Sequence, residues 1–309
     1  MKTYLTERAN HSIIICMGQG IIVINPYQIP KESVHQANRL KDELFALGVS
    51  AEIVTDAFLR TQICENKINS TLDGVDFAVY LDKDKYQSEI LERQGIKLFN
   101  SHKAVRVCDD KGTTYLALLN SGLNLPNTIF GALCYDKNMP IDKSWAKQVA
   151  DALGFPMIIK ESFGSMGKGV HLANNIDELL AVMEIVKLKP HLFQEYVGEP
   201  GVDVRVIVIG GKAVCAMERR NDTDFRSNVA QGGYGKKITL TDEFKASAEK
   251  CASVLGLDYC GVDLLYGKDG KPYVCEVNSN AFISGIEKVT GYNVAKAYAE
   301  HIISCLNNK

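Results

Sequence analysis

The stretch Tyr259–Asn280 constrains this chain more than any other, because it reads as a hairpin that sets two carboxylates against each other. Two β-rich runs, CGVDLLY and PYVCEVN, flank Asp269-Gly270, a pair favoured at the centre of a two-residue type I′ turn. Closed there, the hairpin pairs residues whose numbers sum to a constant: Lys268 faces Lys271, Tyr266 faces Tyr273 and Asp263 faces Glu276. Asn278 then shares their face. Like charges directly opposed destabilise a sheet, so two acids and an amide on one face call for a cation. Oxygen donors of this kind suit Mg²⁺ or Mn²⁺, which makes Asp263, Glu276 and Asn278 candidate metal ligands. Replacing both acids by amides is expected to relieve repulsion and spare the fold. The competing reading is a pair of solvated acids on an edge hairpin.

With 309 residues, 46% of them hydrophobic, the chain can bury a large core and divide into two or three domains. A net charge of −2 gives no basic footprint for nucleic acid or for an anionic membrane surface, so any anionic ligand must be held by local groups. The first twenty residues lack a long apolar core, and no run approaches a spanning helix, which points to a cytoplasmic protein. The nine cysteines include no CxxC pair, and Cys16, Cys215 and Cys275 sit in apolar runs. They read as small buried hydrophobes, with neither disulfides nor structural zinc expected.

The first hundred residues alternate strand and helix signals: SIIICM, GIIVIN, KESVHQANRLKDELFALG, AEIVTD, DFAVYLD, KYQSEILERQG and IKLFN. That alternation predicts a βαβ-type parallel sheet. Gly18-Gln19-Gly20 reads as a turn rather than a dinucleotide fingerprint, since no complete GxGxxG opens a helix. Further on, CDDKGTTYLALLNSG offers Asp109 or Asp110 as helix cap and Gly122 as stop. DKSWAKQVADALG is helical, PMIIK a strand, IDELLAVMEIVK helical, HLFQEYV a strand, and DVRVIVIGGKAVCAMERR a hairpin over Gly210-Gly211.

Several polar devices fall in this second part. PMIIK places Lys160 at the end of an apolar strand, just before the ESFGSMGKG loop with Ser162, Gly164, Ser165, Gly167, Lys168 and Gly169. Glycines let successive backbone N–H groups turn inward around phosphate oxygens, and a lysine adds a point charge. The G-K-[ST] ending of a Walker A loop is absent, and a bare hairpin tip is the alternative. Gln194, Glu195 and Tyr196 end a strand whose backbone could meet a purine. Under the Gly-Gly hairpin, the same arithmetic sets Asp203 opposite Glu218 with Arg205 on their face, and ERRNDTDFRSN adds Arg219, Arg220, Arg226 and Asn228. Surface salt bridges explain such a cluster as readily as catalysis does.

The order of CDDKGTTYLALLNSGLNLP, IIKESFGSMGKGV, FQEYV with DVR, ERRNDTDFRSN, GVDLL and EVNSNAFISGIEKVTG resembles the ATP-grasp superfamily, and within it the RimK-type α-L-glutamate ligases. The resemblance covers roughly residues 100–305. It implies an α/β fold: an N-terminal parallel-sheet (pre-ATP-grasp) domain over 1–104, then a two-subdomain α+β ATP-grasp domain over 105–309. The latter divides into a lid at about 125–196 and a metal-binding part at about 197–309. Such proteins join a carboxylate to an amine through an acyl-phosphate while ATP becomes ADP and phosphate.

Carried over, the resemblance implies that Lys111 and Lys160 contact the phosphates with Ser165 and Gly167, that Glu195 and Tyr196 meet the adenine, and that Asp203 lies near the ribose. Arg226, Ser227 and Asn228 would lie between the γ-phosphate and the carboxyl substrate, so Arg226, Lys160 and Asn228 are the expected catalytic residues. Two Mg²⁺ or Mn²⁺ ions are implied at Asp263, Glu276 and Asn278. The implied partners are ATP, L-glutamate and a carboxylate acceptor at a peptide or protein C-terminus; a homo-oligomer is compatible. A ligase making a small peptide or amino-acid conjugate, and a regulator that binds ATP without turnover, stay open. The chain departs from the ribosomal-protein-modifying members at Asn278-Ser279-Asn280-Ala281-Phe282, where those members carry an Asn-Ala-Ser-Pro-Gly-like turn. The departure bears on the acceptor rather than on the chemistry.

Few apolar anchors hold residues 162–169, so their local stability should be low without nucleotide. Mg-ATP is expected to protect this segment from limited proteolysis, and equal cleavage rates with and without it would contradict the assignment.

Overall fold

The computed structural model describes residues 19–307 apart from 28–30, 71, 73 and 229–231. The first expected strand, SIIICM, and Cys16 lie outside the described residues. The chain opens with β1 (Gln19–Ile24), α1 (Lys31–Ala46), β2 (Ser50–Thr55), a small hairpin of β3 (Gln62–Cys64) and β4 (Lys67–Asn69), β5 (Phe77–Tyr80), α2 (Lys85–Arg93) and β6 (Lys97–Phe99). Four of these strands form a parallel sheet in the order β2-β1-β5-β6, as the βαβ alternation predicts. Gln19 and Gly20, read from sequence as part of a turn, instead begin β1. Gly20 is a packing glycine: a Cβ there would come within 2.2 Å of the Phe77 ring, which is fully buried.

Two short helices follow, α3 (His102–Asp109) and α4 (Lys111–Leu118). The sequence reading gave only the second, capped at Asp109 or Asp110 and ending at Gly122, whereas it ends at Leu118 and is preceded by α3. The break falls at Asp110, whose extended backbone ends α3 while its carboxylate accepts from Gly112 and Thr113 N–H to start α4. The cap fixes the direction in which α4 leaves, and so where Lys111 at its first position points.

The middle segment runs β7 (Thr128–Phe130), α5 (Lys143–Leu153), β8 (Met157–Glu161), β9 (Val170–Ala173), α6 (Ile176–Val186) and β10 (His191–Glu195). Its antiparallel sheet has the order β7-β10-β8-β9. One face packs Met157, Ile159 and Phe193 against Ala146 and Val149 of α5 and Leu179 and Val186 of α6.

The remainder is β11 (Val202–Ile209), β12 (Lys212–Arg220), β13 (Tyr234–Lys237), α7 (Asp242–Leu255), β14 (Tyr259–Tyr266), β15 (Pro272–Asn278), α8 (Ser284–Thr290) and α9 (Val294–Asn307). A five-stranded antiparallel sheet, β13-β12-β11-β14-β15, is its frame. One face packs Val204, Val206, Val262 and Leu264 under α7. Elsewhere Ile207, Ile209 and Tyr259 join α1, α9 and the parallel sheet in one apolar core, so the C-terminal helix is packed into the core of the N-terminal sheet. Among the described residues no helix is long and apolar enough to cross a membrane.

Both hairpins depart from the simple register, each through one extra residue. The β11–β12 turn is the expected two-residue one, with Ile209 facing Lys212. Ile207 then pairs with Cys215 while Val208 pairs with Ala213, so Val214 is bulged out and everything beyond shifts by one. Asp203 therefore opposes Arg219, not Glu218, which moves to the other face and takes the Tyr266 hydroxyl at 2.9 Å. In β14–β15 the turn itself differs. Tyr266 faces Pro272, Gly270 N–H bonds the Gly267 carbonyl, and neither Lys268 nor Asp269 has the positive φ that a type I′ turn needs. A second bulge, at Cys275, restores the shift, so Asp263 does face Glu276.

The Gly20–Phe77 contact gives a direct test of the first sheet. Gly20→Ala should destabilise the protein by about 2 kcal/mol through overpacking, and Phe77→Leu in the same chain should recover part of the loss. Urea unfolding midpoints of the single and double variants measure both.

Candidate active site

Between the middle sheet and the five-stranded sheet lies a cleft enclosing about 800 Å³ including its open mouth, a size suited to a cofactor or nucleotide. Ile158 and Lys160 of β8 and Val170 of β9 form one wall. Asp203, Arg219, Asp263, Leu265, Cys275 and Glu276 form the other, with Lys111, Gln194–Val197 and Phe225–Asn228 at the edges. Of the residues singled out from sequence, Lys111, Lys160, Gly167, Glu195, Tyr196, Asp203, Arg226, Ser227, Asn228, Asp263 and Glu276 line this one cleft. Ser165 does not: it lies exposed at the tip of the glycine loop, where its carbonyl accepts the Lys168 N–H. Asn278 sits beside Glu276 in β15 without lining the cleft.

The floor is an ionic lattice whose Asp203–Arg219 pair the Val214 bulge creates. Across β11, Arg205 forks onto Asp263 (Nε to Oδ1 2.8 Å, Nη2 to Oδ2 2.7 Å) and Arg219 pairs with Asp203 through both oxygens. Arg219 also reaches over β11 to Asp263 Oδ2 at 2.8 Å. Asp203, Arg219 and Asp263 are all buried. Burial by itself would push the Asp263 carboxyl up, but Arg205 and Arg219 more than offset it and hold the group below its ordinary value of 3.8. Sequence reasoning placed Arg205 and Arg219 in the cluster but gave them no role. Arg219 could not be assigned without the Val214 bulge.

Lysines cross the cleft from the opposite side. Lys111 Nζ lies 3.3 Å from Glu276 Oε1 and donates to the Gly164 carbonyl at 2.9 Å. Lys160 is buried, with Nζ 3.4 Å from the Cys275 carbonyl and 3.8 Å from its sulfur. Cys275, read as a small core hydrophobe, is thus exposed by its bulge to the cleft. Arg226 is forked onto Asp224 (3.0 and 2.7 Å) and donates Nη1 to the Gly167 carbonyl at 3.0 Å. The Asp224 hydrogen bonds raise the pKa of the guanidinium and lower that of the carboxyl. Lys111 and Arg226 therefore latch the glycine loop at two carbonyls. Glu195 is fixed by the Asn127 backbone N–H at 2.8 Å and its amide at 3.0 Å, which leaves the chain from Glu195 to Val197 along the cleft wall.

These residues fit a divalent cation. Asp263 and Glu276 are direct cross-strand partners with Asn278 on the same face. Arg205, Arg219 and Lys111 compensate them. Asp263 Oδ2 is taken by two guanidinium groups, but Oδ1 keeps a second lone pair beyond Arg205, and Glu276 meets Lys111 through Oε1. The Asn278 side-chain nitrogen is buried with no hydrogen-bond partner. A flip of the amide would present its oxygen there instead, a position that a cation or donor would satisfy.

A parallel-sheet region, an antiparallel sheet and a five-stranded sheet around one cleft form the ATP-grasp fold. Two solved structures share the fold over nearly the whole chain. They are D-alanine–D-alanine ligase from Bacillus anthracis complexed with ATP (TM-score 0.70, 21% identity, 94% of this chain and 98% of that one) and the ATP-grasp ligase PsnB complexed with minimal precursor, Mg and ADP (TM-score 0.67, 18% identity, 93% and 98%). Residues 108–302 match the RimK-like ATP-grasp domain, and the chain belongs to that family. It is 32% identical over 267 residues to N-acetylaspartylglutamate synthase A of Mus musculus, covering 84% of this chain and 69% of that protein. It is 35% identical to beta-citrylglutamate synthase B of Homo sapiens over 74% of this chain and 58% of that one. A probable alpha-L-glutamate ligase of Vibrio atlanticus is 37% identical over 68% of each. The chain thus spans between 58% and 69% of the length of these relatives.

The lattice corrects the expectation that amide substitutions spare the fold. Asp263→Asn leaves two guanidinium groups facing a neutral buried partner, and should cost about 3 kcal/mol at neutral pH. Because the folded pKa is lowered, the ionised carboxylate stabilises above about pH 4, and that contribution is lost as pH falls through the lowered value. Urea unfolding at pH 7 and pH 3 should show a large gap between wild type and Asp263→Asn at pH 7 that narrows at pH 3. Equal stabilities at pH 7 would refute the account.

Proposed function

We propose that the chain uses ATP to join L-glutamate, through its amine, to a carboxylate acceptor, by way of an acyl-phosphate. The observation that carries this reading is the convergence of Lys111, Lys160 and Arg226 with an acid pair in one cleft. Phosphoryl transfer depends chiefly on positioned cations around developing charge. Glutamate as the joined amino acid is supported by the names of the relatives, two of which are synthases of glutamate conjugates and one a glutamate ligase.

In this scheme Lys160, entering from β8, and Lys111, entering from the first turn of α4, hold the polyphosphate from two directions. The backbone of Glu195–Val197 meets the base. Arg226 exchanges its contact with the Gly167 carbonyl for the γ-phosphoryl group as the acceptor carboxylate attacks it, the bond to the β-phosphate oxygen breaks and ADP leaves. Asp224 keeps the guanidinium oriented for this, and Ser227 and Asn228 flank it. Asp263, Glu276 and Asn278 would hold two Mg²⁺ or Mn²⁺ ions, supplying charge neutralisation at the phosphates. The glutamate amine then attacks the acyl-phosphate, forming the amide and releasing phosphate. Ser279–Phe282 differs from the turn expected of ribosomal-protein modifiers, and two relatives are named for small acid conjugates. A small polycarboxylate acceptor is therefore the second reading beside a peptide or protein C-terminus.

ADP release by the purified protein, with Mg²⁺, L-glutamate and panels of small polycarboxylates and peptides, tests the reaction. Turnover should need glutamate and one acceptor panel together, whereas ATP binding without any ADP release would make the protein a regulator. Arg226→Lys and Arg226→Ala should each lower kcat by about a hundredfold to a thousandfold, because an ammonium cannot reproduce the planar fork. A role limited to the Asp224 salt bridge predicts near-normal kcat and at most about 1 kcal/mol lost in stability.

A further inference from the structure

Away from the cleft, three side chains of different chemistry meet where α9 crosses the start of β14. They are Asp258, His301 and Cys305, the last two one helical turn apart on α9. A carboxylate oxygen, a ring nitrogen and the sulfur all lie within 4.8 Å of one another. His301 Nε2 is 2.9 Å from Asp258 Oδ1 and 3.6 Å from Cys305 Sγ. All three residues are half-buried, so solvent can reach the open side.

The group is held in place independently of any ligand. The Asp258 N–H donates to Asn100 Oδ1 at 2.7 Å, and its carbonyl accepts from Gly210 N–H at 2.8 Å. The His301 ring stands edge-on to Phe99 with centroids 6.3 Å apart. On its other side it lies against Gly210, where a Cβ would come 2.7 Å from Nδ1. Gly210 is thus required for the ring to sit there, and the imidazole is confined between two neighbours.

Tetrahedral zinc, with bonds of about 2.0 Å to nitrogen and about 2.3 Å to sulfur, sets an N-to-S edge of about 3.5 Å and an N-to-O edge of about 3.3 Å. The first edge has about this length, at 3.6 Å, but Cys305 Sγ also lies 3.8 Å from Nδ1, so its χ1 must turn to bring the thiolate to the Nε2 lone pair. The second requires Asp258 and His301 to part by about 0.4 Å, as an ion replaces the shared proton.

We propose that Asp258, His301 and Cys305 bind a borderline divalent transition metal, Zn²⁺ by preference, with water as fourth ligand, fastening α9 to the strand that carries Asp263. Thiolate, imidazole and carboxylate together select zinc-like ions over Mg²⁺, which separates this site from the all-oxygen set in the cleft. Binding releases the thiol proton to solvent and moves the imidazole proton to Nδ1. The expectation of no structural zinc rested on local spacing such as CxxC; here the third donor comes from over forty residues upstream of the helical pair.

Co²⁺ titration of the metal-free full-length protein tests the site. Expected are a thiolate-to-cobalt charge-transfer band saturating at about one equivalent, its displacement by Zn²⁺ but not by excess Mg²⁺, and its loss in Cys305→Ser. His301→Gln, with folding checked by circular dichroism, should weaken binding at least tenfold. Zn²⁺ should raise the melting temperature of wild type by roughly 5 °C and leave Cys305→Ser unmoved. Absence of the band in wild type, or a band undiminished in Cys305→Ser, would overturn the proposal and leave a hydrogen-bonded Asp–His pair only.

Discussion

Arg219 is the residue on which the central sheet turns. It is only 3% exposed and carries a full charge beneath the cleft, a state tolerable only with matched partners. Asp203 faces it across the β11–β12 ladder and Asp263 reaches it from beyond β11, while Arg205 balances the second acid. Two cations and two acids close a neutral lattice over three strands. A slip of one residue would set Glu218 or Arg220 against Asp203, depending on its direction, and in both cases strand Arg219 on the opposite face. The lattice therefore specifies register more than it adds stability.

That register depends on two extra residues. Val214 and Cys275 each bulge from a strand and reverse the parity of everything beyond them. One bulge turns a repulsive acid pair into an ion pair, and the other keeps an acid pair, Asp263 and Glu276, together on the cleft face. Antiparallel sheets ordinarily oppose such a pair. Here Arg205, Arg219 and Lys111 make it tolerable, and the same cations surround the place proposed for phosphates and a divalent ion.

The cleft joins groups with very different supports. Lys160 stands on a strand whose neighbours are fixed by the Ile159 and Phe193 core, and Lys111 on a helix start fixed by the Asp110 cap. Gly164 and Gly167 sit on a loop whose latches are Lys111 and Arg226. Rigid walls thus meet a loop held by two cations, and the phosphate-binding role proposed for them would release it. This arrangement suits a lid that must admit and then enclose a nucleotide.

The sequence by itself determined much of this. Alternating apolar runs gave the parallel sheet, Asp110 gave a helix start, and the spacing of IIK, QEYV, DFRSN, VDLL and EVN brought out most of the cleft residues, because period and turn chemistry are local. What remained was decided by tertiary structure. No local signal places a bulge at Val214 or Cys275, since the gain comes from charges on a third strand. Nothing in the neighbourhood of Cys275 shows that it faces a lysine from another sheet. Only the packing of α9 against β14 sets His301 and Cys305 beside Asp258. Charge pairing and apolar burial act between segments distant in the chain, so their result becomes legible only when those segments meet.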